Sequence, residues 1–69
     1  MKRYGAIAQV IYRDGIWTGS VGLVSHEFAA KGMRSAQLKA HRFYMAKWRR
    51  WKPTKTTKLK KLHISVVEM

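Results

Sequence analysis

From Tyr4 to Val24 the chain is rich in β-branched and aromatic residues, and a single Asp14-Gly15 pair divides the run. Such residues suit a pleated, half-buried surface, and Asp-Gly suits a two-residue turn because both central positions need positive φ. The pattern predicts two antiparallel strands, Tyr4 to Arg13 and Ile16 to Val24. With Asp14 and Gly15 as the loop, Arg13 faces Ile16, Tyr12 faces Trp17, Val10 faces Gly19, Ala8 faces Val21 and Ala6 faces Leu23. Side chains alternate across a strand, so the last four pairs share one apolar side. Ile7, Gln9, Ile11, Arg13, Ile16, Thr18, Ser20 and Gly22 share the other, a mixed face. Gly19 leaves room for an aromatic ring or a helix to lie against the backbone.

Ser25 to Gly32 is read as a third short strand around His26 to Ala30 that turns at Lys31-Gly32. A helix capped by Ser25 is the competing reading, but Gly32 inside it would cost about 1 kcal/mol against Ala. A helical period follows, predicted from Ser35, as N-cap, to Trp51, with Pro53 as a stop. At about 100° per residue, Met33, Leu38, Ala40, His41, Tyr44, Met45 and Trp48 fall in one broad arc around Gln37, the face expected to cover the hairpin. Lys39, Arg42, Arg49 and Arg50 gather opposite, around Ala46, with Phe43 and Lys47 on the shoulder. Residues 52–61 read as a basic extended arm, and Leu62 to Val66 alternates as a last half-buried strand. The fold class is therefore α+β: a small antiparallel sheet, made of the hairpin, a third strand and a C-terminal strand, packed on one amphipathic basic helix.

Length and charge narrow the function. The chain has 69 residues, so it is read as one domain, 1–69, and a chain this short buries too little surface to enclose a deep multilayered pocket. It carries 15 Lys and Arg against 3 Asp and Glu, a formal charge of +12, more than solubility asks of a small domain. The acids are Asp14, Glu27 and Glu68, so no carboxylate interrupts the helix, whereas a solvated helix face usually interleaves Glu with Lys. Phosphate is the commonest neutraliser of such a field. Arg adds a planar fork that grips two phosphate oxygens or a guanine edge.

Several chemistries are excluded or left thin. The absence of Cys removes disulfides, thiolate zinc sites and cysteine nucleophiles. No Gly-rich phosphate loop with Gly-Lys-Ser or Gly-Lys-Thr occurs. His26-Glu27 resembles the start of a zinc-protease motif, but Ala30 stands where its second histidine belongs. No cofactor and no metal are expected. Acid–base chemistry would have to use His26, His41 or His63; His41 is read as a core-edge residue, while His26 and His63 would meet only if the third and last strands paired. That pairing would permit metal-free RNA cleavage.

The leading expectation is a non-enzymatic nucleic-acid-binding protein, regulatory and of the sort mobile elements or phages encode. Lys39, Arg42, Lys47, Arg49, Arg50, Lys52, Lys55 and Lys58 are its phosphate contacts, and specific base contacts would come from Gln9, Arg13, Thr18 and Ser20 on the mixed hairpin face or from Arg42 and Arg49. Duplex DNA ranks ahead of RNA, because two-stranded ribbons fit its major groove and the sequence shows no exposed stacking aromatic. Trp48 is read as core and Trp51 is undecided. The alternatives are a basic protein that docks on an acidic partner through Ile7, Ile11 and Ile16, a homodimer through that same face, and a small ribonuclease toxin. Association with a membrane surface through Trp48 and Trp51 ranks lower, and no stretch is long and apolar enough to span one. The expected compartment is the cytoplasm, on the nucleoid if DNA is the ligand.

Overall fold

The computed structural model describes residues 1–51 and 56–69. In chain order they form β1 (Lys2–Asp14), β2 (Trp17–Ala30), α1 (Met33–Trp51) and β3 (Lys58–Glu68). β1 is the central strand of a three-stranded antiparallel sheet of order β2-β1-β3. α1 packs across one face of it, which gives the expected α+β arrangement of hairpin, helix and returning strand. Strands of 13 and 14 residues rise about 3.3 Å per residue, which accounts for the long dimension of a body measuring 43 × 17 × 16 Å.

The hairpin is real, but its loop is Gly15-Ile16. Asp14 pairs with Trp17, Tyr12 with Gly19, Val10 with Val21 and Ala8 with Leu23, a slip of two residues from the register expected of an Asp-Gly loop. Of the two loop residues only Gly15 has positive φ, at 63°, as a type II′ turn requires of its first loop residue. Because side chains repeat every two residues, this slip changes partners and preserves faces. Its one large consequence concerns Trp17, which moves from beneath the helix to the tip and is 76 % exposed. Gly19 takes its place opposite Tyr12, whose ring lies over it: a Cβ there would stand 2.5 Å from the Tyr12 hydroxyl oxygen.

The predicted third strand is extended as expected, but it is continuous with β2. Between the Ala8–Leu23 and Ala6–His26 pairs, Ile7 alone faces both Val24 and Ser25, a β-bulge. The extra residue inverts the phase of β2. Up to Leu23 its odd positions face the helix, and from His26 its even positions do, which brings His26, Phe28 and Ala30 under α1. A second irregularity leaves Lys60 as the extra residue of β3, so Leu59 and Leu62 both lie opposite helix-facing residues, Tyr12 and Val10. β3 already begins at Lys58, so the basic arm expected over 52–61 is shorter than its sequence suggests. Its residues 52–55, with the proline stop, lie outside the described residues.

The core is one row against another. β1 contributes Tyr4, Ala6, Ala8 and Val10, and α1 contributes Ala36, Ala40, Tyr44 and Trp48, all at 7 % exposure or less. Every fourth position of α1 is buried, so contact follows a single i, i+4 row. Small residues at Ala6, Ala8, Ala36 and Ala40 let helix and sheet approach closely, and the aromatic rings fill the ends. The broad arc expected around Gln37 is accordingly corrected: Gln37, Leu38 and His41 are exposed, and Met33 is exposed in the first turn. A wheel averaged over the whole helix misses a row that drifts about 40° per step, and it gives Ala36 no weight. The helix also starts earlier than expected. Ala36 N–H donates to the Gly32 carbonyl at 2.9 Å, which makes Gly32 the cap residue and puts Ser35 inside the first turn.

The Tyr44 hydroxyl closes the bulge. It lies 2.8 Å from the Ala6 carbonyl and 2.9 Å from the Val24 carbonyl, so one phenolic proton is shared between two oxygens that the irregular ladder presents together. Burial pushes this phenol above its ordinary value of about 10. Tyr44→Phe should lower stability by about 1–3 kcal/mol, as expected when a buried carbonyl loses its donor, read as a lower urea midpoint at unchanged slope. With the folded pKa raised, Tyr44 contributes stability that is intact below about pH 10 and declines as the unfolded chain begins to ionise; the Phe variant should lose that part of the alkaline sensitivity. Gly19→Ala should cost about 1–3 kcal/mol through overpacking, since the added Cβ forces the Tyr12 ring to shift against its contacts with Trp48 and Trp51.

Candidate nucleic-acid interface

The row opposite the buried one reads Arg34, Leu38, Arg42, Ala46, Arg50, and all five are exposed. Two residues advance a helix by about 200°, so burying 36, 40, 44 and 48 turns this row outward. Arg34 belongs to it and escaped sequence reading because the helix was expected to begin after it. From Arg34 to Arg50 the row runs about 24 Å at 1.5 Å per residue, the rise of about seven base pairs of duplex at 3.4 Å each. Arg49, also exposed, lies on one flank.

The flank toward β2 is tethered. Lys39 Nζ donates to the Ala29 carbonyl at 2.8 Å, and Lys47 Nζ sits 5.3 Å from the centre of the Phe43 ring. Phe43 in turn stacks on His26 with centroids 3.8 Å apart and planes 5° from parallel. Lys39 and Lys47 are thus held against the body, while Arg34, Arg42, Arg49 and Arg50 have no carboxylate partner among the described residues. The three acids are engaged elsewhere. Glu68 lies 3.6 Å from Lys2, Glu27 lies 3.7 Å from Arg3, and Asp14 accepts hydrogen bonds from the Thr56 and Thr57 hydroxyls at 2.9 and 3.1 Å.

The remaining expected contacts lie on the other side of the sheet. Arg13 stands between Thr18 and Lys58, Ile11 between Ser20 and Lys61, and Gln9 between Gly22 and His63. These positions alternate with the buried row of β1 and face away from α1. The structure therefore divides the expected site in two: Lys39, Arg42, Lys47, Arg49 and Arg50 with the helix, and Gln9, Arg13, Thr18 and Lys58 with the open sheet face. A straight duplex lying on one surface leaves the other in water. Lys52 and Lys55 lie outside the described residues.

The histidines do not assemble. His26 is paired with Ala6 on the helix side of the sheet, His63 with Gln9 on the open side, and β1 separates their strands. His41 is exposed on α1 rather than at a core edge. The two-histidine arrangement that RNA cleavage would need is therefore not formed. Among the described residues there is no cluster of three or more metal-binding side chains, and no helix is long and apolar enough to cross a membrane. Compared with known proteins, the chain matches no family model, no curated protein and no solved structure.

Aromatic residues gather where helix and hairpin end. Tyr12 meets Trp48 at 6.1 Å and Trp51 at 5.8 Å, and the two indoles lie 5.7 Å apart. Trp48 is core, as expected, and Trp51 closes the cluster while remaining 42 % exposed. Trp17 makes no ring contact among the described residues and stands in solvent beside Ile16, which is 90 % exposed. Trp17→Phe should therefore remove most of the iodide-quenchable tryptophan emission and change stability by no more than about 0.5 kcal/mol, as for exposed positions generally; a large loss of stability would instead place Trp17 beneath the helix.

Proposed function

We propose that this chain is a small non-enzymatic nucleic-acid-binding protein whose phosphate contacts come from the outward row of α1. The observation that carries the reading is the set Arg34, Arg42, Arg49 and Arg50, exposed on one rigid helix with no carboxylate within pairing distance among the described residues. Cations without partners repel one another, and a polyanion with regularly spaced charges relieves that repulsion while releasing counterions. The helix supplies spacing and rigidity, and arginine supplies bidentate geometry. Duplex DNA is the first ligand to test, with duplex RNA beside it.

The test is fluorescence anisotropy of labelled duplexes across a salt series, with wild type and an Arg42/Arg49/Arg50→Ala variant. Wild type should show log K falling linearly with log[salt], at about −0.9 per neutralised phosphate. The variant should flatten that slope by about one unit for each contact removed. Weak binding that treats all ligands alike and disappears near physiological salt would argue against the proposal.

A second reading has its own observation. The open sheet face exposes Ile7, Val67 and Met69 at 61 %, 61 % and 65 %, around a shallow hollow of about 300 Å³ that also involves Ser25, Glu27 and Ser65. Phosphate has no use for such a surface, whereas an acidic protein partner with an apolar ridge does. Ile7→Glu should leave duplex binding within about twofold if nucleic acid contacts only α1, and should abolish binding if the sheet face is the interface.

A further inference from the structure

We infer that the tip half of the open sheet face is a second phosphate-binding site, built from Arg13, Lys58 and Lys61, so that one chain bridges two duplexes. This rests on the nucleic-acid reading of α1 and adds to it a second duplex on the opposite surface.

The site begins with the irregularity in β3. Lys58 and Lys61 are three residues apart, and in a regular strand they would point to opposite faces. Lys60 is the extra residue of the ladder, so Lys58 lies opposite Arg13 and Lys61 opposite Ile11, both of which face away from α1. The bulge thereby sets three cations on one face and on neighbouring rungs.

Nothing within the chain offsets their charge. Arg13 and Lys58 are direct cross-strand partners, and like charges so placed destabilise a ladder. Asp14 lies on the helix side opposite Trp17 and accepts from Thr56 and Thr57, while Glu68 lies on that same side opposite Tyr4. Glu27 shares the open face but stands at its far end, opposite Gly5, and is engaged by Arg3. Arg13, Lys58 and Lys61 therefore have no carboxylate partner among the described residues.

The surroundings suit a sugar–phosphate strand. Arg13 Nε donates to the Gly15 carbonyl at 2.9 Å, which steadies the guanidinium at the turn, and its terminal nitrogens have no protein partner among the described residues. Arg13, Gly15, Thr56 and Lys58 line an open hollow of about 570 Å³, in the range of small-ligand sites. Thr18 and Ser20 flank the cations from β2, and Gln9 and His63 share the following rung, so the groups between the charges are hydrogen-bonding ones. The exposed apolar residues of this face, Ile7, Val67 and Met69, gather at the other end. A protein interface wants its core apolar and poor in charge, and the tip half is the reverse.

The bridge follows from thickness and charge. This face and the outward row of α1 lie on opposite sides of a body 16 and 17 Å wide, so a straight duplex on one leaves the other in water. A formal charge of +12 exceeds what the four arginines of α1 carry. The cations left over on the sheet attract a second polyanion for the same reason that α1 attracts the first.

The experiment holds a biotinylated duplex on streptavidin beads, adds protein, and reads retention of a second, fluorescent duplex, with anisotropy titrations of a single duplex in parallel. Wild type should retain the second duplex and approach two duplexes per chain. Arg13/Lys58/Lys61→Gln should bind one duplex per chain and lower retention about tenfold or more, as when a site loses several phosphate contacts, with circular dichroism and thermal midpoint matching wild type. Arg42/Arg49/Arg50→Ala should also lose retention, because a bridge needs both surfaces. Wild type that binds one duplex and retains no second overturns the bridge and leaves the α1 proposal standing. Undiminished retention by the Gln variant overturns the sheet site, and its loss in Ile7→Glu would then assign the bridge to a dimer of chains. Retention of labelled polyglutamate in place of the second duplex overturns the inference in favour of an acidic protein partner. Absence of binding to any duplex overturns both this site and the α1 proposal.

Discussion

The Tyr44 hydroxyl bond to the β-bulge is the contact on which the remaining geometry depends. Without the extra residue at Val24-Ser25, β2 would keep its odd positions toward the helix and present Glu27 rather than Phe28 to the core. The bulge prevents this, and it also disturbs the ladder where Ala6 and Val24 offer carbonyl oxygens to the interior. A buried carbonyl without a donor is costly, and a helix backbone has none to offer from its middle. Tyr44 reaches across from the third residue of the buried row and supplies the donor, so helix position and strand phase are set by the same bond.

From that anchor the charge distribution follows. Fixing Tyr44 inward fixes Ala36, Ala40 and Trp48 inward with it, and turns Arg34, Arg42 and Arg50 to the opposite side. The same contact sets how far α1 reaches along the sheet. Its last turn meets Tyr12, where Gly19 makes room for the ring, and Trp48 and Trp51 seal the joint. Asp14 completes that end by holding Thr56 and Thr57, which positions the start of β3 beside the hairpin. A small core thus sustains long strands because each end has its own closure.

Two surfaces result, and they differ in chemistry. The helix side offers rigid, evenly spaced arginines, and the open sheet side offers apolar residues at one end and Arg13, Lys58 and Lys61 near the other. In a body 16 and 17 Å wide the two surfaces lie back to back, so one straight rod cannot lie along both at once. The salt series addresses the first surface and the Ile7 substitution the second.

The sequence by itself determined the class of fold, the core side of β1, the helix and the returning strand. It also determined that the cations outnumber the acids too heavily to pair within the chain. These are properties of local period and composition, which survive a two-residue slip of register because side chains repeat every two residues. Arg42, Arg49 and Arg50 were legible as an outward group for the same reason. What lay beyond reach was decided by tertiary contacts: the loop at Gly15-Ile16, the bulge that joins the expected third strand to β2, the drift of the buried helix row, and the separation of Arg13 and Lys58 from the helix cations. Trp17 shows the difference most plainly. Its alternation places it on the core side, and the two-residue slip carries it past Tyr12 to a rung that α1 is too short to cover, because a helix gains 1.5 Å per residue where a strand gains about 3.3 Å.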